Sequence, residues 1–335
     1  MTQKYALIDT ANTFFRARHV ASRNSTTEEK IGMALHLTLA SVNQAVKRFG
    51  IDHVVFCLEG RSFRKDTYAP YKKNRVVDAM SITETEAEES KMFWETYAKF
   101  TQYISEKTNV TVLRHERAEA DDMIARWIHM HPADSHWILS TDSDFHQLVA
   151  PNVKIFNGVT NELITLQGYL KENGKPVLDK KTKEPKLLED PEYILFRKIC
   201  RGDPGDNIFA AAPGAREKGT KNKVGILEAF QDRHKMGYNH NNFMLSRWID
   251  HEGNEIRVRD AFERNRGLID LTAQPQEIKD AVDQRIRESV RVETTPHVGI
   301  HFMKFCGRYD LVKLSSQADS YAAWLNSPYK GSLVK

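Results

Sequence analysis

Four short apolar runs in the first 150 residues each end on an acid or lead into an acid-rich turn. Tyr5–Ile8 runs into Asp9, His53–Leu58 into Glu59, Val110–Leu113 into the Glu116–Asp122 stretch, and Trp137–Leu139 into Asp142 and Asp144. A fifth run, Val153–Phe156, follows them. Longer amphipathic stretches separate the runs, which is the alternation of an α/β fold: a mostly parallel sheet flanked by helices. In open α/β sheets ligands sit at the carboxyl ends of the strands. Several strands delivering carboxylates to one edge therefore predict a site at that edge.

The rest of the composition narrows the class. The 335 residues are 40% apolar and 28% charged, the balance of a soluble globular chain with room for one large domain or two moderate ones. No run of about 18 apolar residues and no signal-peptide pattern is present, so a cytoplasmic protein without a membrane partner is expected. Cys57, Cys200 and Cys306 are scattered and not in CxxC spacing, which suggests neither a disulfide framework nor a zinc site. The thirteen histidines form no ligand pattern such as HExxH. A net charge of +4 does not by itself point to nucleic acid, but its distribution does more. Lys72-Lys73-Asn74-Arg75 and the group Lys218, Lys221 and Lys223 stand apart from the acids. Separate positive and negative zones fit a polyanion gripped on one surface and a cation site that cuts it.

Between the second and third runs, Arg61 to Asn109 is longer than an ordinary crossover. Ser81-Ile82-Thr83-Glu84 has capping-box spacing, and Phe93, Tyr97, Phe100 and Ile104 recur at helical spacing, so an extended helical insertion with a packing stripe is expected. Residues 168–191 are rich in Lys, Glu, Pro and Gly with an Asn173-Gly174 turn, and read as an exposed hairpin or loop at a domain border. From Glu192 to about Ser289 the pattern is predominantly helical.

Three local motifs carry the chemistry. Glu119 and Asp122, with Asp121 beside them, share one face at the start of a helix. Acids at a helix start also complement its dipole, and for these residues taken alone that ordinary reading stays open. Asp142 and Asp144 are two apart and in an extended chain project to the same side, where like charges repel and a divalent cation is the natural counter-ion. Asp203 and Asp206 flank Pro204-Gly205, either a tight turn aiming both acids inward or an ordinary Asp-rich turn. Oxygen ligands without His or Cys favour Mg²⁺ or Mn²⁺ over zinc. No GxxxxGK[ST] loop is present, so the phosphate acted on is not that of a bound nucleoside triphosphate.

In their order and separations LIDTAN, VVFCLEG, RSFRKDTYAPYKKNR, EADD, STDSDF and GDPGDN resemble the phage 5′ nucleases of the RNase H and flap endonuclease type. More distantly they resemble the 5′-nuclease domain of bacterial DNA polymerase I; the likeness spans roughly residues 5–230. It implies a PIN-like core over residues 1–190 with a helical arch at about 61–109. It further implies a helical DNA-binding region over 191–300 containing a helix-three-turn-helix element, and a tail over 301–335. By motif position it assigns one group of metal ligands to Asp9, Glu59, Glu119, Asp121, Asp142 and Asp144, and a second or outer group to Asp122, Asp203 and Asp206. Two or more Mg²⁺ or Mn²⁺ ions per site are implied. Lys72 and Arg75 match basic residues that contact the scissile phosphate, Tyr71 is placed to stack on a terminal base, and Lys218, Lys221 and Lys223 to grip duplex phosphates.

The implied activity is metal-dependent hydrolysis at 5′ flaps, at 5′ ends of duplex DNA and in RNA–DNA hybrids, as in primer removal during replication. The implied setting is a monomer in the cytoplasm of a phage-infected host, with a single-strand-binding protein or sliding clamp as partner. The chain departs from the family at Glu59, where Asp is usual, and at PGAREKGTKNKVGI, which is longer and richer in Lys than the usual Gly-x-Gly turn. The competing readings are a PIN-type ribonuclease and a non-catalytic branched-DNA-binding protein; missing carboxylates would mark the latter, and here only Glu59 is altered.

Overall fold

The computed structural model describes residues 2–17, 25–75, 83–235, 237–250, 253–290 and 293–333. The chain divides into two compact units, the first comprising residues 1–61, 82–188 and 277–335 and the second residues 62–81 and 189–276.

In the first unit seven strands form one sheet: β1 (Lys4–Asp9), β2 (His53–Cys57), β3 (Thr111–Leu113), β4 (Ser135–Leu139), β5 (Val153–Asn157), β6 (Glu162–Thr165) and β7 (Gly168–Leu170), in the order β3-β2-β1-β4-β5-β6-β7. The five runs read from the sequence are the five parallel strands, β1 to β5. Tyr5, Ala6, Leu7 and Ile8 are all fully buried, as a strand covered on both faces requires. The register sets Ile8 beside Phe56 on one neighbour and Leu139 on the other, and Asp9 beside Cys57. The carboxyl ends of β1, β2 and β4 therefore finish level. β6 and β7, which the sequence pattern did not reveal, extend the sheet as an antiparallel hairpin. Beyond them residues 171–188 are largely exposed and joined by the isolated bridges Leu170–Pro176 and Leu178–Pro185.

Helices cover the sheet because their starts and stripes are written locally. Thr27–Phe49 begins at a capping box, where Glu29 N donates to Thr26 Oγ1 (3.2 Å) and Thr26 N to Glu29 Oε2 (2.8 Å), and it ends on Gly50 at φ 62°. Glu84–Lys107 is capped by Thr83 and Glu86, two residues later than the spacing from Ser81 had indicated; Ser81 and Ile82 lie outside the described residues. Its stripe of Phe93, Tyr97, Phe100 and Ile104 is buried in the core. The same core takes Phe302, Phe305, Tyr321 and Trp324 from the helices Val298–Arg308 and Ala318–Leu325, so the last residues pack on the first unit. Among the described residues no helix is long and apolar enough to cross a membrane.

The second unit is mainly helical. Pro191–Arg201, Ile226–Gln231, Tyr238–Leu245 and Val258–Ile269 surround a core that includes Phe196, Ile199, Phe230, Phe243 and Phe262, with a two-stranded ribbon of Arg247–Ile249 and Glu255–Arg257. Residues 62–75 belong to this unit: the Arg64 guanidinium is buried and its Nε donates to Leu268 O at 2.7 Å.

Candidate active site

In the first unit the acids gather at the carboxyl edge of the sheet. Asp9 ends β1 and is 4% exposed; its Oδ2 accepts from Ser140 Oγ (2.8 Å) and its Oδ1 from Asn12 N (3.2 Å). Ser140 directly follows β4, and its Oγ also accepts from Asp142 N (3.0 Å). Asn12 Oδ1 accepts from Thr141 N (3.2 Å) and Thr141 Oγ1 (2.9 Å). These bonds tie the segments after β1 and β4 together and fix where Asp9 and Asp142 sit. The chain turns at Ser143 into the 3-10 helix Ser143–Leu148, capped by Asp142, whose carboxylate accepts from Asp144 N at 2.9 Å. Asp142 and Asp144 are thus set by a helical turn rather than by the extended chain expected from their spacing.

Glu59 lies two residues past β2, and its Oε2 accepts from Ala120 N at 3.4 Å. The backbone bonds Leu58 N to Leu113 O (2.8 Å), Gly60 N to Ala118 O (3.0 Å) and Arg61 N to Glu116 O (2.8 Å) carry the ladder beyond β3 and bring Glu59 to the start of the helix Ala120–Met130. Gly60 makes this approach possible: a Cβ there would stand 2.0 Å from His115 O and 2.6 Å from Ala118 O. Glu119 is the N-cap residue of that helix, and its amide donates to Asp122 Oδ2 at 3.1 Å, with Asp122 fully buried. The helix-terminus role left open for these acids is therefore met by Asp122.

Burial and mutual repulsion act on this cluster. Burial, then Glu59, and to a smaller degree Asp142, push the Asp9 carboxyl up to about 7, against the opposing hydrogen bonds from Ser140 and Asn12. Burial and then Asp9, Glu59, Asp142 and Glu119 all raise Asp121 well above the usual carboxylate range. The same charges reach the Cys57 thiol and the Tyr97 phenol, which burial and then the acids push up. Buried oxygen donors that repel one another suit a hard divalent cation, which reverses both penalties. Among the described residues no three carboxylate, His or Cys groups already stand at the spacing of a closed cage. Mg²⁺ keeps several waters and needs only one or two direct carboxylates, so the donor set fits it.

The second unit treats its acids differently. Asp203 accepts from Gly205 N (2.9 Å) and lies 2.8 Å from Lys198 Nζ. Although burial works against it, Lys198 and the turn amides hold the Asp203 carboxyl below its usual value. Asp206 Oδ1 is 2.7 Å from Arg75 Nη2; its Oδ2 is 3.6 Å from Lys72 Nζ and accepts from Tyr71 OH at 3.2 Å. Tyr71 is 4% exposed with its ring in the unit's core, so in this conformation that ring offers no open face to a base. Lys218, Lys221 and Lys223 are exposed on a loop held by Glu228, whose Oε2 accepts from Gly219 N (2.9 Å) and Gly225 N (3.0 Å). Sequence reasoning missed Ser140, Asn12, Gly60, Lys198 and Glu228. The first three lie inside or beside the acid motifs, where a hydrogen-bonding or side-chain-free neighbour of a strand-end acid was the available signal.

The fold and these motifs have counterparts among known proteins. A family model described as the 5′-3′ exonuclease N-terminal resolvase-like domain matches residues 4–174. DNA polymerase I of Rhizobium leguminosarum is 27% identical over 181 residues, which is 53% of this chain but only 15% of the polymerase. The flap endonuclease of Escherichia phage T5 is 25% identical over 228 residues, 67% of this chain and 69% of that protein. A solved pseudo-enzyme-product complex of the phage flap endonuclease with DNA and metal ions shares the fold, with a TM-score of 0.57, 20% identity, and coverage of 85% of this chain and 98% of that one. The family match takes in β1 through β7 and, with them, every strand-end acid of the first unit. Because it spans just over half of the 335 residues, the chain belongs to the 5′-3′ exonuclease family defined by that domain.

Proposed function

We propose that this chain is a divalent-metal-dependent, structure-specific 5′ nuclease that hydrolyses phosphodiesters at 5′ flaps, at 5′ ends of duplex DNA and in the RNA of RNA–DNA hybrids. The observation that carries the reading is the mutually repelling set of Asp9, Glu59, Asp121 and Asp142, with Asp9 buried and the other three half-buried. The phage relative's name and the DNA- and metal-containing complex of that relative support the same chemistry.

When bound, divalent ions, two or more of Mg²⁺ or Mn²⁺, supply Lewis acidity toward water and the phosphodiester. The chain's own residues prepare that step. Asp9, Glu59, Glu119, Asp121, Asp142 and Asp144 are the proposed ligand oxygens, and the bonds from Ser140 and Asn12 preset Asp9, so little reorganisation is needed on binding. Lys72 and Arg75 offset the charge that develops on the phosphate. Lys218, Lys221 and Lys223 grip backbone phosphates without reading sequence. A role in primer removal, with replication proteins as partners, follows from these substrates.

The test is to offer 5′-labelled flap, nicked and hybrid substrates with Mg²⁺ and compare product lengths. Release of flaps or short 5′ products supports the reading; intact substrates in Mg²⁺ and Mn²⁺ alike contradict it.

A further inference from the structure

The helix Gln276–Ser289, which from Glu277 onward belongs to the first unit, is fastened by hydrogen bonds to the acid-bearing segment 114–126. The best-formed link joins Arg126 to Asp283. Arg126 Nε donates to Asp283 Oδ1 at 2.7 Å and its Nη2 to Oδ2 at 2.6 Å, a bidentate pair whose side chains are only 10% and 15% exposed. Arg285 Nε donates to Arg114 O at 3.0 Å, and Arg117 Nη2 to Glu277 Oε1 at 3.1 Å. These two links are exposed and contribute little by themselves. The same helix buries Ile278, Val282 and Ile286 at helical spacing, so it is a packed element and not a loose tail.

Arg126 lies one turn beyond Asp122 on the same face of the helix Ala120–Met130, and both residues are buried. That helix opens with Glu119, Asp121 and Asp122, so whatever fixes its second turn fixes the direction from which these acids arrive. Two planar groups joined by two parallel bonds set orientation as well as distance. Stability alone does not call for such a pair, because apolar side chains of similar volume often replace a buried ion pair without loss. A metal site has the stricter need: Mg²⁺ demands near-ideal ligand geometry, and a misplacement of about 1 Å can cost about a hundredfold in rate. We infer that Arg126 and Asp283 are positioning residues for the metal site. They clamp the helix Ala120–Met130 so that Glu119 and Asp121 are held within electrostatic reach of Asp9, Glu59 and Asp142. This rests on the reading of those acids as metal ligands. The pair acts through the helix and not on substrate.

The experiment compares wild type with Arg126→Lys, which keeps the charge but not the fork, and with Arg126→Met/Asp283→Leu, which replaces the pair by apolar side chains. Binding of Mn²⁺ alone, followed by the electron paramagnetic resonance of the free ion without nucleic acid, should weaken about tenfold in the double variant, the low end for groups that orient metal ligands. Arg126→Lys should lose less. Melting in EDTA should stay near wild type in both. Cleavage of a 5′ flap should require correspondingly more Mg²⁺ and recover toward the wild-type rate as Mg²⁺ is raised, while flap binding in EDTA does not change. Wild-type Mn²⁺ affinity in the double variant would overturn the proposal, as would a loss of cleavage that added Mg²⁺ does not restore. Should the double variant melt far below wild type, Arg126→Lys decides. Weaker Mn²⁺ binding with the melting curve kept supports the clamp; unchanged Mn²⁺ binding overturns it. No Mn²⁺ binding by wild type would overturn the metal-site reading itself, a failure distinct from that of the clamp.

Discussion

The acids of the first unit and those of the second are the same residue types in opposite electrostatic states. Asp9 and Asp121 are pushed up by burial and by one another, whereas Asp203 is held down by Lys198, and Asp206 lies against Lys72 and Arg75. An acid-rich motif therefore does not say whether its carboxylates wait for a metal or already have a partner. The neighbours decide, and they decide differently in each unit.

The largest expected effect breaks the first group. Asp9→Asn together with Asp121→Asn should cost about a thousandfold or more in single-turnover cleavage in Mg²⁺, in the range for losing preorganised electrostatic groups. The same pair should hold or raise the melting temperature in EDTA, because it removes like charges whose burial and mutual repulsion outweigh the hydrogen bonds to Asp9. Asp203→Asn should behave the opposite way in EDTA, with a loss of about 0.5–1 kcal/mol as Lys198 loses its partner.

Next come the cations of the second unit. Lys72→Ala and Arg75→Ala should each lower the rate at saturating substrate by about a hundredfold while affinity changes less, as expected for charges acting on the transition state. Loss of affinity with the saturated rate intact would make them binding residues only. A smaller effect is expected from charge reversal of Lys218, Lys221 and Lys223. Duplex binding should weaken and the salt slope fall by about one per lost phosphate contact, with the cut position unchanged. An unchanged slope would remove the loop from the binding surface.

The smallest effect is a pH dependence. Asp9, at about 7, binds its proton more tightly in the folded state than at the ordinary value of 3.8, so its contribution to metal-free stability is lost as pH rises through that window. His53 and His136 have the opposite sign. Burial pushes both down to about 4, so their contribution is complete above 6.5 and is lost as pH falls from 6.5 toward 4. Melting curves of wild type minus Asp9→Asn in EDTA isolate the first term. The difference should favour wild type progressively as pH falls from 7 toward 4, at about 1–2 °C per kcal/mol for a chain of this size. A flat difference would mean that Asp9 is not under strain.

How much of this was legible in the sequence follows from which interactions are local. The five parallel strands showed because a strand buried on both faces must be a continuous apolar run, and the acids showed because they follow those runs directly. β6 and β7 were missed because runs of four and three residues are too short to carry a periodic signal. The turn at Ser143 escaped because Asp142 is both a candidate ligand and a cap, and spacing alone cannot choose between the two. The pairing of Asp206 with Arg75 spans 131 positions, and no local pattern records such a partner. The burial of Tyr71 was hidden for the same reason, since its surroundings come from helices more than a hundred residues away.

The central claim is that the first unit's acids take the cation and the second unit's acids do not. It is tested most directly by the shift in melting temperature when Mg²⁺, or Ca²⁺ where cleavage must be avoided, is added to the protein without nucleic acid. Wild type and Asp203→Asn should both be stabilised as metal is added, while Asp9→Asn/Asp121→Asn should not respond. A response that survives in Asp9→Asn/Asp121→Asn and is lost in Asp203→Asn would contradict the account.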